Sequence, residues 1–358
     1  MINVTKTFLP KFGEYQKYLR KIWQTHHVTN HGPLVLELED KLKKYFRVKH
    51  VFFVANGTIA LQIAIKAAEL QEEVITTPFS FVATTSSLVW ENCQPVFADI
   101  EAETLTIDPA EIERKITAKT TGIVATHVYG NPCHIEKITK IAKKNDLKVI
   151  YDAAHAFGVK YKNHSLLSYG DISTISFHAT KIFHTIEGGA VITNDDRLAK
   201  KISYLRNFGF KTPTSFQGLG INGKNCEFHA AMGLCLLPQM KSLIHQRKVI
   251  CEKYDKLFGG LDIDKSVIRM GTQYNYSFYP IVLPSEKVLL KVVVALNKHG
   301  VFPRRYFYPS LNNLPYLKKV KMPISESVAN RVLCLPLYVG LRDSELLLIH
   351  QVIRSCYV

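Results

Sequence analysis

The chain has 358 residues, of which 47% are hydrophobic and 21% are charged. This composition excludes extensive disorder and provides enough apolar side chains for one large core or for two domains. The formal net charge is +16, which suits either a polyanion or a small diphosphate ligand, so charge alone does not choose between these partners.

Short apolar segments alternate with helical patterns through the first two-thirds of the chain. Continuous segments rich in Val and Ile are typical of strands buried on both faces. They predict strands at 50–55, 73–77, 95–99, 122–127, 147–152, 172–176 and 189–193. Helices are predicted at 59–69, 83–91 and 135–144, and another starts at Asp108-Pro109, an N-cap acid before a proline. This alternation predicts an α/β fold with a mostly parallel central sheet.

The pattern changes after about residue 235. A long helix at 236–258 precedes a strand at 274–283, a helix at 286–299, an aromatic loop at 302–316 and a last helix from Asp343. These elements predict a smaller C-terminal α+β domain. We place the boundary inside the long helix, which gives a large domain of residues 1–238 and a small domain of residues 239–358.

Neither a signal peptide nor a membrane span is predicted, because no apolar segment is long enough for either. The seven cysteines are scattered and form no Cys-x-x-Cys pair. They indicate reduced thiols rather than a zinc site or a disulfide framework. We therefore expect a cytoplasmic protein without a metal site and without a membrane partner.

Three candidate groups follow predicted strands. Gly57 and Thr58 stand at a strand-to-helix turn, where free helix N–H groups bind phosphate. Asp152 ends a strand, and ligands of doubly wound sheets bind at the carboxyl ends of strands. Lys181 follows another strand, where desolvation makes an amine nucleophilic. Each feature alone is also typical of an ordinary turn, cap or exposed lysine. Together they match the needs of pyridoxal phosphate (PLP): a phosphate cradle, a carboxylate for the pyridine nitrogen and an amine for the aldehyde.

The ordered motifs resemble the DegT/DnrJ/EryC1/StrS family of sugar aminotransferases. The similarity lies in residues 29–33, 55–61, 77–84, 95–99, 127–130, 152–155, 176–181, 187–189, 220–222, 230–234 and 335–338. It implies the aspartate-aminotransferase-like architecture (PLP fold type I) and a homodimer with shared active sites. It also implies a nucleotide-linked keto sugar and an amino donor, L-glutamate, as partners, and no nucleic acid.

The resemblance also implies roles for single residues. Lys181 would form the Schiff base and shuttle a proton, and Asp152 would pair with the pyridine nitrogen. Phe81 would stack on the cofactor ring, and His155 would lie near its phenolic oxygen. The phosphate would be held by Gly57, Thr58 and Ser176, and Asn222 would reach the phosphate of the partner subunit's cofactor.

Two residues depart from the family pattern. Asn56 stands where the family commonly has Ser, and His155 where it commonly has Gln. A backbone contact survives the first change, whereas a hydroxyl contact does not. In the loop at 302–316, Arg305 is expected to contact a phosphate, and Tyr306 and Tyr308 the sugar or the nucleotide. Packing against the large domain is the alternative for this loop.

The motifs are most similar to enzymes of the viosamine type. These aminate C4 of dTDP-4-dehydro-6-deoxyglucose for surface polysaccharides such as O-antigen. A dTDP-linked 3-keto sugar and a GDP- or UDP-linked 4-keto sugar remain open. A sugar dehydratase of the same fold is disfavoured because that branch replaces the lysine with His, while this chain has Lys181. A non-catalytic basic binding protein is disfavoured by the intact set of cofactor residues.

Overall fold

The computed structural model describes residues 1–357 and is built around a seven-stranded sheet. The strands are β1 (His50–Val54), β2 (Glu73–Thr76), β3 (Gln94–Phe97), β4 (Thr120–Thr126), β5 (Lys148–Asp152), β6 (Ile172–Ser176) and β7 (Gly189–Thr193). Their order across the sheet is β1-β7-β6-β5-β4-β2-β3. Strand β7 runs antiparallel to both of its neighbours, and the other pairs are parallel. The predicted α/β fold with a mostly parallel sheet is confirmed.

Helices cover both faces of this sheet. They are α1 (Phe12–Thr25), α2 (Pro33–Phe46), α3 (Gly57–Ala67), α4 (Val82–Trp90), α5 (Pro109–Lys115), α6 (Ile135–Lys144), α7 (Asp196–Leu205) and α8 (Glu227–Leu236). In β1, Val51 and Phe53 enter the hydrophobic cluster on one face, and Phe52 and Val54 enter the cluster on the other. Burial on both faces explains why these strands are continuously apolar in the sequence.

The remaining helices and strands are α9 (Met240–Phe258), β8 (Tyr279–Val282), α10 (Glu286–Lys298), α11 (Pro323–Arg331), β9 (Val332–Leu335) and α12 (Asp343–Ser355). All of them except α11 contribute to a second hydrophobic cluster, whereas Val328 and Ala329 of α11 pack in a separate one with Phe307. Strands β8 and β9 pair antiparallel. The short strand Ile2–Asn3 pairs with Val301–Phe302, and Ile2 belongs to this second cluster. The domain boundary at residue 238 stays a prediction.

Helix α9 contributes to both clusters. Met240 and Leu243 pack in the first, whereas Tyr254 and Phe258 pack in the second. The predicted helix at 236–258 is interrupted in the structure by a 3₁₀ turn at Leu237–Gln239. The interruption follows from Pro238, which lacks the backbone N–H that a continuous α-helix needs.

The predicted strand at 274–283 is shorter in the structure. Its first half is irregular because its polar side chains bind the connection between β5 and β6. Asn275 donates to the carbonyl oxygens of His155 (2.8 Å) and Phe157 (2.9 Å), and Ser277 also donates to that of His155 (3.0 Å). This segment therefore joins the two parts of the molecule instead of extending β8.

Smaller strands complete the described chain. They are Lys160–Tyr161, His164–Ser165 and Thr272–Gln273 in one sheet, and Phe210–Thr212 with Ser215–Phe216 in another. Among residues 1–357, no helix combines the length and the apolar character that crossing a membrane requires.

Candidate active site

A cavity of about 370 Å³ opens where β4, β5 and β6 end. Strand register places Thr126 beside Asp152, and Asp152 beside Thr174, so the polar ends of three strands meet at this edge. The cavity brings together eight of the predicted site residues: Gly57, Thr58, Phe81, Asp152, His155, Ser176, Lys181 and Tyr306. Asn222, Arg305 and Tyr308 do not line it.

The start of helix α3 forms a narrow cradle at the cavity wall. Asn56 caps the helix, because its side-chain oxygen accepts a hydrogen bond from the Ile59 amide at 2.8 Å. The amides of Gly57 and Thr58 lie in the first turn, where N–H groups have no acceptor within the helix. A Cβ at Gly57 would lie only 3.0 Å from the Ser176 Cβ. Glycine at residue 57 therefore allows the start of α3 to lie close to the end of β6. Asn56 fills the capping role for which Ser is equally suited.

The Asp152 carboxylate lies at the floor of the cavity and is only 5% exposed. One carboxylate oxygen accepts from the Thr84 hydroxyl at 2.6 Å and the other from the Ala154 amide at 3.1 Å. Burial raises the pKa of Asp152, while these two hydrogen bonds and the charge of Lys181 oppose the rise. A buried carboxylate of this kind gains much from a cationic partner.

Behind Asp152 lies a chain of three hydroxyls, from Thr126, Ser80 and Thr84. The Ser80 oxygen lies 2.9 Å from that of Thr126 and 2.7 Å from that of Thr84. Because the Thr84 hydroxyl donates its one hydrogen bond to Asp152, Thr84 accepts from Ser80, and Ser80 accepts from Thr126. Every donor in this hydroxyl chain therefore points toward the carboxylate. Sequence reasoning missed it, although Ser80 and Thr84 lie within the motif at 77–84.

Lys181 extends from the segment after β6 into the same cavity. Burial lowers the pKa of its amine to about 8; the charge of Asp152 opposes this shift and that of Arg304 adds to it. Among the described residues the amine makes no hydrogen bond or ion pair. A partly deprotonated, unpaired amine at neutral pH is the state that covalent capture of an aldehyde requires.

Aromatic rings form another wall. The His155 ring lies parallel to that of Phe307 with centroids 5.6 Å apart, and 4.6 Å from that of Phe278. Burial holds the pKa of His155 well below its usual range, so the imidazole is neutral. Its buried Nδ1 atom has no hydrogen-bond partner within residues 1–357. Phe81 precedes α4 and is 48% exposed, so its ring is available to a ligand.

The three predicted residues outside the cavity have other contacts. Arg305 forms an ion pair with Glu286 at 2.9 Å and lies 3.4 Å from the centre of the Tyr308 ring. Asn222 is exposed and accepts a hydrogen bond from Lys224 at 2.8 Å. The role predicted for Asn222, at the cofactor phosphate of a partner subunit, stays a prediction. Arg304, which sequence reasoning did not single out, lines the cavity in place of Arg305.

His178 lies at the rim of this cavity. Its Nδ1 atom is 2.8 Å from the Thr180 hydroxyl, and its Nε2 atom is 3.5 Å from the Glu187 carboxylate. Both ring nitrogens of His178 therefore have polar neighbours at the cavity wall.

Comparison with known proteins places this geometry in a family. The DegT/DnrJ/EryC1/StrS aminotransferase family matches residues 12–354. A dTDP-4-amino-4,6-dideoxy-D-glucose transaminase of Shigella dysenteriae is 41% identical, over 99% of this chain and 98% of the relative. One from Escherichia coli is 39% identical, over 96% of this chain and 95% of the relative.

Solved structures agree. The structure of DesI in the presence of its TDP-sugar product has a TM-score of 0.94 and 31% identity, over 99% of this chain and 92% of that one. PseC of Helicobacter pylori, an aminotransferase involved in pseudaminic acid biosynthesis, has a TM-score of 0.92 and 26% identity, over 99% of both chains. The resemblance found in the sequence is confirmed: the chain belongs to the DegT/DnrJ/EryC1/StrS aminotransferase family.

Proposed function

We propose that this aminotransferase uses PLP to move an amino group from L-glutamate to C4 of dTDP-4-dehydro-6-deoxyglucose. The observation that carries the proposal is the convergence of the Lys181 amine, the Asp152 carboxylate and the α3 cradle in one cavity. The sugar is supported by the two relatives named as dTDP-4-amino-4,6-dideoxy-D-glucose transaminases, which match over nearly the full length of the chain.

The residues present fit PLP on three structural grounds. Gly57 brings the start of α3 close to Ser176, where a Cβ would lie only 3.0 Å from the Ser176 Cβ. Asp152 is buried in the same cavity as Lys181, and its two oxygens accept hydrogen bonds from Thr84 and Ala154. His155 also lines the cavity and has a buried nitrogen without a hydrogen-bond partner among residues 1–357. When bound, the cofactor supplies an electron sink for the carbon that gains or loses the amino group.

The chain's own residues then have distinct tasks. Gly57, Thr58 and Ser176 bind the phosphate through amide and hydroxyl donors at the helix start, where the dipole also favours an anion. Asp152 would accept a hydrogen bond from the protonated ring nitrogen, and Phe81 would cover the ring. Those contacts orient the cofactor before any substrate binds.

Lys181 would hold the cofactor through its aldehyde. Its amine would also be the general base that removes a proton from the substrate carbon and the general acid that returns one. With its pKa lowered to about 8, Lys181 exchanges protons close to neutral pH. The two substrates use the same cavity in turn, which predicts ping-pong kinetics.

The proposal also covers the charge of the substrate, the oligomeric state and the cellular location. The net charge of +16 suits a diphosphate-bearing substrate. A homodimer is proposed, in which Asn222 reaches the cofactor phosphate of the partner subunit. A cytoplasmic location is also proposed, because all seven cysteines are free thiols, as in a reducing compartment. The product would serve surface polysaccharide (O-antigen) synthesis.

The decisive experiment supplies the PLP-loaded protein with L-glutamate and separate dTDP-, GDP- and UDP-linked keto sugars, and detects aminated products by mass. We expect product from the dTDP-linked 4-keto sugar. GDP-linked sugars are a necessary arm because relatives at 29% identity are named GDP-perosamine synthases. Product from GDP-, UDP- or 3-keto sugars alone would refute the assigned substrate but keep the reaction class.

Two lysine substitutions, one in the cavity and one on the surface, test the role of Lys181. Lys181→Ala should abolish both the visible absorption of the bound cofactor and product formation. Lys287→Ala removes an exposed lysine of α10 instead and should leave both unchanged. Product formation by Lys181→Ala at the wild-type rate would contradict the assigned role. A protein that makes no aminated product but binds duplex nucleic acid in a salt-dependent way would favour the binding-protein alternative.

A further inference from the structure

Arg304 places an unpaired guanidinium in the wall of the cavity that holds Lys181. We propose that Arg304 is the anion-binding residue of this cavity and holds a pair of anionic oxygens on a substrate. Two sources carry such oxygens: the carboxylates of the amino donor and the diphosphate of the nucleotide sugar. The inference rests on the function proposed above.

The backbone directs this side chain into the cavity. Two backbone hydrogen bonds join Arg304 to Cys334 of β9. The Arg304 amide donates to the Cys334 carbonyl at 3.1 Å, and the Arg304 carbonyl accepts from the Cys334 amide at 2.8 Å. The chain then turns, because the Tyr306 amide donates to the Arg304 carbonyl at 3.1 Å. Arg304 and Tyr306 line the cavity on either side of this turn, while Arg305 between them pairs with Glu286.

The two arginines differ in what they bind. The Arg305 guanidinium donates to Glu286 at 2.9 Å and to the Asn330 carbonyl at 3.3 Å, so its donors are used within the fold. The Arg304 guanidinium makes no hydrogen bond or ion pair among the described residues. Its carbon lies 4.6 Å from the centre of the Tyr306 ring. A ring contact of this kind orients the guanidinium plane and leaves its N–H edges free for a ligand.

No carboxylate of the cavity neutralises Arg304. Asp152 is held by Thr84 and Ala154, and Glu187 lies 3.5 Å from His178. Both carboxylates thus have other partners. Two parallel N–H donors match a carboxylate or a phosphate in bidentate geometry, and this pairing is stronger than a neutral hydrogen bond. An incoming anion is therefore the counterion that the cavity lacks.

The test measures binding of two probes to the PLP-loaded protein by calorimetry. 2-Oxoglutarate represents the donor carboxylates, and dTDP represents the nucleotide diphosphate. The variants are Arg304→Gln, Arg304→Lys, and Arg354→Gln as a charge-matched control on the exposed face of α12. Arg304→Gln should weaken at least one probe by about 10- to 100-fold. Arg304→Lys should recover part of that loss, and Arg354→Gln should change neither probe by more than about twofold.

The outcomes separate the sources. Loss for 2-oxoglutarate alone assigns Arg304 to the donor, and the KM for L-glutamate should rise with it. Loss for dTDP alone assigns it to the nucleotide sugar, and loss for both means that one subsite serves both half-reactions. Arg304→Gln binding both probes as tightly as wild type would overturn the inference while leaving the proposed function intact. Wild-type protein that binds neither probe would contradict the proposed function itself.

Discussion

The hydroxyl chain behind Asp152 leads to a quantitative prediction for Thr84→Val. Valine has nearly the shape of threonine but removes the donor that lies 2.6 Å from the Asp152 carboxylate. A hydrogen bond to a charged group contributes about 1.5–3 kcal/mol, which corresponds to about 1–2 pKa units at about 1.4 kcal/mol per unit. Because burial already raises the pKa of Asp152, the substitution should raise it further by that amount.

The direction of this pKa change also determines how the stability of the variant depends on pH. Thr84→Val makes the ionised form of Asp152 less favourable in the folded state only. The variant should therefore lose about 1.5–3 kcal/mol of unfolding free energy at pH values above the folded pKa of Asp152. The loss should shrink as pH falls through that pKa, because the protonated acid no longer needs the donor.

The assay is carbon-13 NMR of aspartate carboxyls in the cofactor-free protein, with Asp152→Asn identifying the resonance. Urea unfolding at several pH values supplies the free energies. Thr84→Ser keeps the donor and should titrate close to wild type. If Thr84→Val left the Asp152 titration in place while Thr84→Ser moved it, packing rather than the hydroxyl would control this carboxylate, and the reasoning would be wrong.

Three further substitutions have expected outcomes. Gly57→Ala should lower PLP affinity, measured by equilibrium dialysis, with little loss of folding, because the new Cβ would meet Ser176 at 3.0 Å. Asn56→Ala should lower the unfolding free energy by about 1 kcal/mol in urea titrations because the cap to Ile59 is lost, whereas Asn56→Ser should cost little. His127 is fully buried with its pKa lowered to about 3. Stability should therefore fall as pH drops below about 6.5, and His127→Gln should flatten that fall by about 1.4 kcal/mol per pH unit. An unchanged slope would contradict the prediction.

Much of the large sheet was readable in the sequence because its strands are buried on both faces. Segments such as His50–Val54 are continuously apolar, and the structure places a strand at each of the seven predicted positions. Gly57, Asp152 and Lys181 could be grouped because each lies at the end of a strand or within five residues after it, and parallel strands end at one edge. Short segments of the sequence were therefore sufficient to predict the strands of the sheet and the grouping of Gly57, Asp152 and Lys181.

Other features depend on information that no short segment contains. Which of Arg304 and Arg305 lines the cavity depends on the pairing of Arg304 with Cys334 of β9 and on the turn that follows it, and adjacent arginines look alike in the sequence. The hydroxyl chain joins Thr126 to Ser80 across 46 positions. It is visible only once β4 and the start of α4 are placed in space.

Helix α9 has a consequence for how the two hydrophobic clusters can move relative to each other. It runs unbroken from Met240 to Phe258, about 28 Å at 1.5 Å per residue, with one end in each hydrophobic cluster. Near its middle, buried Arg247 donates to the carbonyl oxygens of Tyr276 (2.8 Å) and Ser277 (2.6 Å). The two hydrophobic clusters are thus connected by a continuous helix rather than by a flexible linker. A tilt of α9 by about 5° at one end displaces its other end by about 2 Å. Small rearrangements around Met240 would therefore move the second cluster, at the Phe258 end, by ångströms.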